Sequence, residues 1–162
     1  MSLIKPIFFA LLLLVPMNTS VTLAVTTSST MAVSATVAAL CTVTAQPLAF
    51  GAYTSAQTDA TSTVSVTCTN GTSYAVALDA GATSGATTAN RLMTGPGGAT
   101  LRYVLFNNAS YTTNWGSIAG TDTLASLGTG VAQTLTVYGR IPAGQYPTPG
   151  AYTDSVTVTL TY

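Results

Sequence analysis

Apolar residues recur along this chain with a period of two, and no run of ten or more residues keeps a helical spacing. That property restricts the fold to strands, because alternate side chains of a strand point to opposite faces. In Thr63–Cys68 the residues Val64, Val66 and Cys68 share one face, and in Ser73–Leu78 the residues Tyr74, Val76 and Leu78 do the same. Leu101, Tyr103 and Leu105 alternate in the next run, where Val104 and Phe106 make the second face apolar as well. Leu135, Val137 and Ile141 mark a further strand, with a bulge expected at Gly139. Val156–Tyr162 is the most regular alternation of all. The intervening stretches, Asp79–Gly98, Asn107–Gly130 and Pro142–Gly150, are rich in turn-forming residues. Short strands joined by turns predict a single all-β domain, an antiparallel sandwich.

The first residues set the compartment. Lys5, the apolar run Ile7–Val15 and the small-residue site Thr22-Leu23-Ala24 have the layout of a secretory signal peptide over residues 1–24. The apolar run is too short for a membrane-spanning helix, which needs about 20 residues. No later segment is apolar for long enough to span. In an exported chain the pair Cys41 and Cys68 is most simply one disulfide, with about 3–4 kcal/mol of loop-closure stabilisation.

Beyond the signal there is no Lys, Glu or His, and Arg91, Arg102 and Arg140 stand against Asp59, Asp79, Asp122 and Asp154. Without a basic cluster there is no electrostatic footprint for nucleic acid or an anionic membrane. Without His, Lys or Glu neither a Ser-His-Asp triad nor a lysine base can be assembled, so no catalytic, metal or cofactor-binding residue is assigned and no cofactor is expected. Asp79-Ala80-Gly81 and Asp122-Thr123 faintly echo an aspartic-protease pair and read as turn aspartates. Asn70-Gly71 reads as a tight hairpin turn, Asn108-Ala109-Ser110 as a turn, and Gly95–Gly98 as a turn. Trp115, Tyr111 and Phe106 read as core packing or loop cover ahead of a sugar-binding patch, and Arg140 is paired with Asp154 by sign alone.

Both ends of the mature chain are odd for a self-contained sandwich. Met31, Val33, Ala35 and Val37 share one face of a strand-like segment that follows the soft lead Thr26–Ser29. At the other end the last strand runs to Tyr162 with no charged residue after Asp154, although exposed edges are normally blunted by charge, proline or a bulge. Another strand of the domain, or another chain, must cover it.

Phe50-Gly51, Cys41-Thr42-Val43, Thr63–Cys68, Tyr138–Pro142 and Gly150–Leu160, in this order and spacing, resemble the spore coat protein U domain over about residues 34–162. That family includes pilins of the archaic chaperone–usher pathway. The resemblance implies an incomplete immunoglobulin-like antiparallel β-sandwich, completed first by a periplasmic chaperone and then by the N-terminal strand of the next subunit. It divides the chain into a signal peptide at 1–24, a donor segment at 25–37 and a pilin domain at 38–162. Met31, Val33, Ala35 and Val37 are the expected donor residues, and Val156, Val158 and Leu160 the expected wall of the acceptor groove. Residues 31–40 forming the domain's own first strand is the competing reading. The implied partners are identical or related pilin subunits in a head-to-tail polymer, a periplasmic chaperone and an outer-membrane usher. The implied location is the cell surface, reached through the periplasm, and the implied role is adhesion and biofilm formation. A spore- or cell-coat protein built on the same domain, or a single-domain adhesin, are the alternatives.

Overall fold

The computed structural model describes residues 20–162, so the core of the signal-peptide reading lies outside the described residues. The chain divides into two units at Ala35/Thr36. Residues 20–35 carry no helix or strand, and their side chains, including Met31 and Val33, are exposed.

Residues 36–162 hold eight strands: β1 (Cys41–Ala45), β2 (Thr58–Cys68), β3 (Ser73–Leu78), β4 (Arg91–Thr94), β5 (Thr100–Phe106), β6 (Leu124–Leu127), β7 (Gln133–Ile141) and β8 (Val158–Thr161). They form two sheets, ordered β1-β2-β7-β5-β4 and β6-β3-β8, in which every pairing is antiparallel. Among the described residues the only helical element is one 3-10 turn at Pro96–Gly98, and no helix is long and apolar enough to cross a membrane.

The period-two pattern explains how the sheets face each other. Val64, Val66 and Cys68 of β2 and Tyr74, Val76 and Leu78 of β3 are all buried, while the residues between them are not. The disulfide Cys41–Cys68 joins β1 to β2 at directly opposed positions of the ladder. Trp115 is completely enclosed and donates its Nε1–H to the Val76 carbonyl at 2.9 Å. Arg91 is also fully buried, with its guanidinium donating to the carbonyls of Asp79, Thr88, Leu78 and Trp115 at 2.7–2.9 Å. A buried guanidinium is tolerated only when its donors are satisfied, as they are here. Because Arg91 belongs to β4 and Leu78 to β3, this residue fastens one sheet to the other.

Several local expectations need correction. Gly139 lies in an unbroken ladder, opposite Ala60 on one side and Leu105 on the other, so there is no bulge. Its role is close approach: a Cβ there would lie 2.8 Å from the Phe50 ring and 2.9 Å from Leu48. Asn70-Gly71 does form a turn, with Gly71 at φ 78°, but β2 and β3 lie in different sheets, so it arches between them instead of closing a hairpin. Both strands bury their apolar faces, which sets them face to face and not side by side. Residues 31–40 lie in no strand, and the first strand of the domain begins at Cys41. Arg140 pairs with Asp59, its direct cross-strand neighbour, at 2.7 and 2.8 Å, and not with Asp154.

Candidate functional site

β8 closes the smaller sheet but is hydrogen-bonded to β3 on one side only, and β1 is the matching edge of the larger sheet. β1 and β8 approach each other, and the sandwich opens where β1 ends and β8 begins. A cleft of about 330 Å³ lies there, entered between residues 46–50, which follow β1, and residues 152–157, which lead into β8. Its floor is apolar, made by Val64, Leu78, Leu105 and Val137, with Tyr103 at the same level. All five are buried core residues, so the cleft opens directly onto the hydrophobic core.

Each wall is held by polar contacts that leave the floor apolar. On the β1 side, the Ser62 hydroxyl lies 2.7 Å from the Gln46 carbonyl and 3.0 Å from that of Pro47, which fixes the stretch carrying Leu48 and Phe50. On the β8 side, Thr153 bridges to Thr94 at the β4 edge, and the chain then crosses to the smaller sheet. Tyr103 donates its hydroxyl to Asp154 Oδ2 at 2.6 Å, and Asp154 Oδ1 accepts the Ala82 and Ser155 amides at 2.8 Å. Burial, reinforced by this bond, pushes the Tyr103 phenol well above its usual range, so it stays a donor at any physiological pH. Asp79 Oδ1 accepts the Gly81 and Thr157 amides at 2.9 Å. Burial raises the Asp79 carboxyl, but the hydrogen bonds from Thr157 and Gly81 outweigh that and hold it below the usual carboxylate range.

Val156 and Val158 line the cleft, and both are half-buried. Leu160, also half-buried, packs against the core beyond the cleft lining. Val156 precedes β8, which is shorter than the alternation from 156 to 162 predicts. Met31, Val33 and Val37 are 86, 87 and 82 % exposed. The opposite wall, Leu48 and Phe50, was not singled out as a wall from the sequence, although the two residues already alternate after Pro47. Asp79 and Asp122 are turn aspartates: the Asp122 carboxylate accepts the Ile118 amide at 2.6 Å. Trp115 is core, which removes it from any sugar-binding patch. Tyr111 instead stacks edge-on with Phe106 and Tyr138 on the outer face, with Arg140 3.9 Å from its ring centre.

The arrangement offers no cluster of titratable groups in the cleft; it offers an apolar trough beside an unpaired strand edge, which is what an added strand requires. The model of the Spore Coat Protein U domain family matches residues 27–159. Protein U of Myxococcus xanthus is 37% identical over 62 residues, which cover 38% of this chain and 34% of that protein. Among solved structures, a chain of the CsuC–CsuE chaperone–tip adhesion subunit pre-assembly complex, from archaic chaperone–usher Csu pili of Acinetobacter baumannii, matches with a TM-score of 0.59 at 26% identity. That match covers 78% of this chain and 41% of the other, so the chain spans well under half the length of either relative. The shared two-sheet antiparallel architecture is immunoglobulin-like.

Proposed function

The chain belongs to the Spore Coat Protein U domain family, and from that premise we propose that it is a structural subunit of an archaic chaperone–usher pilus that polymerises by donor-strand exchange. The observation that carries this reading is the apolar cleft beside the free edge of β8. An isolated sandwich with a core open along one edge is short of apolar cover, and a strand laid against β8 supplies both backbone hydrogen bonds and side chains for the trough.

Met31, Val33, Ala35 and Val37 of the following subunit are the donor residues. They recur at period two, so one face of an extended segment presents all four together. Burying Met31, Val33 and Val37 contributes on the order of 5–9 kcal/mol before ordering costs. Val156, Val158 and Leu160 belong to the receiving wall, with Leu48 and Phe50 opposite. The contact is head-to-tail and does not close, so it propagates as a filament. Before assembly a periplasmic chaperone occupies the cleft, and an outer-membrane usher passes the subunit to the cell surface. Residues 1–24 act as the export signal, 25–37 as the donor and 38–162 as the pilin domain. The assembled fibre serves attachment and biofilm formation, a structural role and not a catalytic one.

Deleting residues 25–34 tests this directly. Polymer ladders on gels run without boiling disappear, while chaperone-bound subunit remains; undiminished polymer overturns the donor assignment. Expressed without its chaperone, the subunit aggregates or is degraded.

A further inference from the structure

At the start of β8 a side chain takes over from the backbone. Leu78 and Val158 are the last partners of the β3–β8 ladder. One step further, the Asp79 amide still donates to the Thr157 carbonyl at 3.1 Å, but the return bond is rerouted. Arg91 Nε takes the Asp79 carbonyl at 2.8 Å, and the Thr157 amide donates instead to the Asp79 carboxylate at 2.9 Å. β8 therefore begins at Val158, although the alternation starts at Val156. Both polar backbone groups of Thr157 face β3, and in an extended chain those of Val158, the next residue, point to the open side.

Just upstream, the same segment is tied to the larger sheet. Asp154 Oδ2 accepts the Tyr103 hydroxyl of β5 at 2.6 Å, and Oδ1 accepts the Ala82 and Ser155 amides at 2.8 Å. Gly81 makes room for this carboxylate: its φ is 87°, and a Cβ on it would overlap the Asp154 carboxyl group. Thr153 then pairs with Thr94 of β4. Residues 153–158 thus cross from one sheet to the other on fixed points at 153, 154 and 157, and Val156, which lines the acceptor cleft, lies between them. A segment that leaves one ladder before joining another has few backbone bonds and opens easily. Here two aspartates and a tyrosine supply the missing ones. An edge that receives a strand gains by being extended beforehand, because ordering it during capture subtracts from the binding free energy.

We propose that Asp79, Asp154 and Tyr103 are positioning residues for donor-strand capture: they hold residues 153–158 extended, with the side toward β3 already satisfied and the opposite edge ready for the incoming strand. The inference rests on the donor-strand reading and adds to it residues that prepare the edge.

The test uses the full-length subunit in complex with its chaperone and, as donor, an excess of a labelled synthetic peptide of residues 25–40. The readouts are the rate at which labelled subunit appears on unboiled gels and the melting temperature of the complex. Tyr103→Phe removes the hydroxyl and leaves the ring, Gly81→Ala displaces the Asp154 carboxylate, and Asp79→Ala removes the acceptor for Thr157. Each slows capture by about tenfold or more. Asp79→Asn and Asp154→Asn keep an oxygen acceptor for the amides and capture peptide within about threefold of the wild-type rate. Val66→Ala, a truncation in the core of β2 outside the cleft lining, lowers the melting temperature with the capture rate unchanged. Wild-type rates in the three disruptive variants, or equal slowing in Val66→Ala at a matched melting temperature, overturn the inference and leave the donor reading standing. A wild-type subunit that captures no peptide overturns the donor reading and this inference with it. Should Gly81→Ala yield no complex, Tyr103→Phe, which adds no atoms, carries the same comparison.

Discussion

β7 and β8 carry the same kind of alternating sequence and meet opposite circumstances. β7 pairs with β2 on one side and β5 on the other, and its inward Val137 and Ile141 are 6 and 1 % exposed. β8 pairs with β3 alone, and Val156, Val158 and Leu160 around it are only half-buried. The alternation decides which face of a strand turns inward. The number of strands beside it decides how completely that face is covered, and a strand's own residues do not encode that number.

The comparison can be broken most forcefully by placing a charge at equivalent inward positions. Val137→Asp buries an unpaired carboxylate and unfolds the subunit, a loss of more than about 4 kcal/mol. Val158→Asp, beside the open edge, costs the isolated subunit much less and instead abolishes polymer. Urea midpoints and unboiled gels read the two effects, and equal destabilisation at both sites would erase the distinction between covered and open strands. Next in size is Trp115→Ala, which removes an enclosed ring and leaves the Val76 carbonyl without its donor, at about 3–5 kcal/mol. Replacing Cys41 and Cys68 together by alanine follows, at about 2–5 kcal/mol in thermal or urea melts, because it unties β1, one rim of the cleft, from β2.

The smallest effects belong to charge. Asp59→Asn removes a solvent-accessible pair with Arg140 and costs under about 1 kcal/mol. The pH dependence is equally confined. The hydrogen bond from Arg140 holds the Asp59 carboxyl below its ordinary value, and Asp79 is likewise held low by Thr157 and Gly81 after burial has opposed it. Groups depressed in the folded state contribute stability fully above the unfolded carboxylate value, near 3.9, and lose it as pH falls through the folded one. With no Glu or His and both cysteines bonded, melting temperature stays flat between about pH 5 and 9, declines in acid, and declines again above about pH 10, where the buried Tyr103 phenol resists the ionisation that the unfolded chain allows. A steep change inside that window would require a titrating side chain that the chain does not have.

Much of the fold is legible in the residues because β2, β3 and β7 alternate cleanly and are long enough to show it, and β5 alternates up to Tyr103 before both its faces turn apolar. β4 and β6 are not long enough, at four residues each inside turn-rich stretches, and β6 is held by β3, a partner distant in sequence. Arg91 carries no sign in the sequence of its burial: an arginine reads as surface until four carbonyls from three separate segments converge on it. The Asp59–Arg140 pair was equally hidden, since only the β2–β7 register brings the two residues opposite each other. Half of the cleft was visible from the alternation around Val156 and Val158. The wall at Leu48 and Phe50 was not, because two apolar residues after a proline do not reveal which sheet they lean on.

The chain contains one tryptophan, and it is Trp115. Its indole sits in a dry pocket with its N–H fixed to a neighbouring strand, while the remaining ring systems are phenylalanine and tyrosine. Emission excited at the red edge of the absorption band therefore arises from a single interior site. A blue-shifted spectrum reports an intact subunit, and a red shift reports opening of the two sheets, so folding can be followed through assembly without attaching any label.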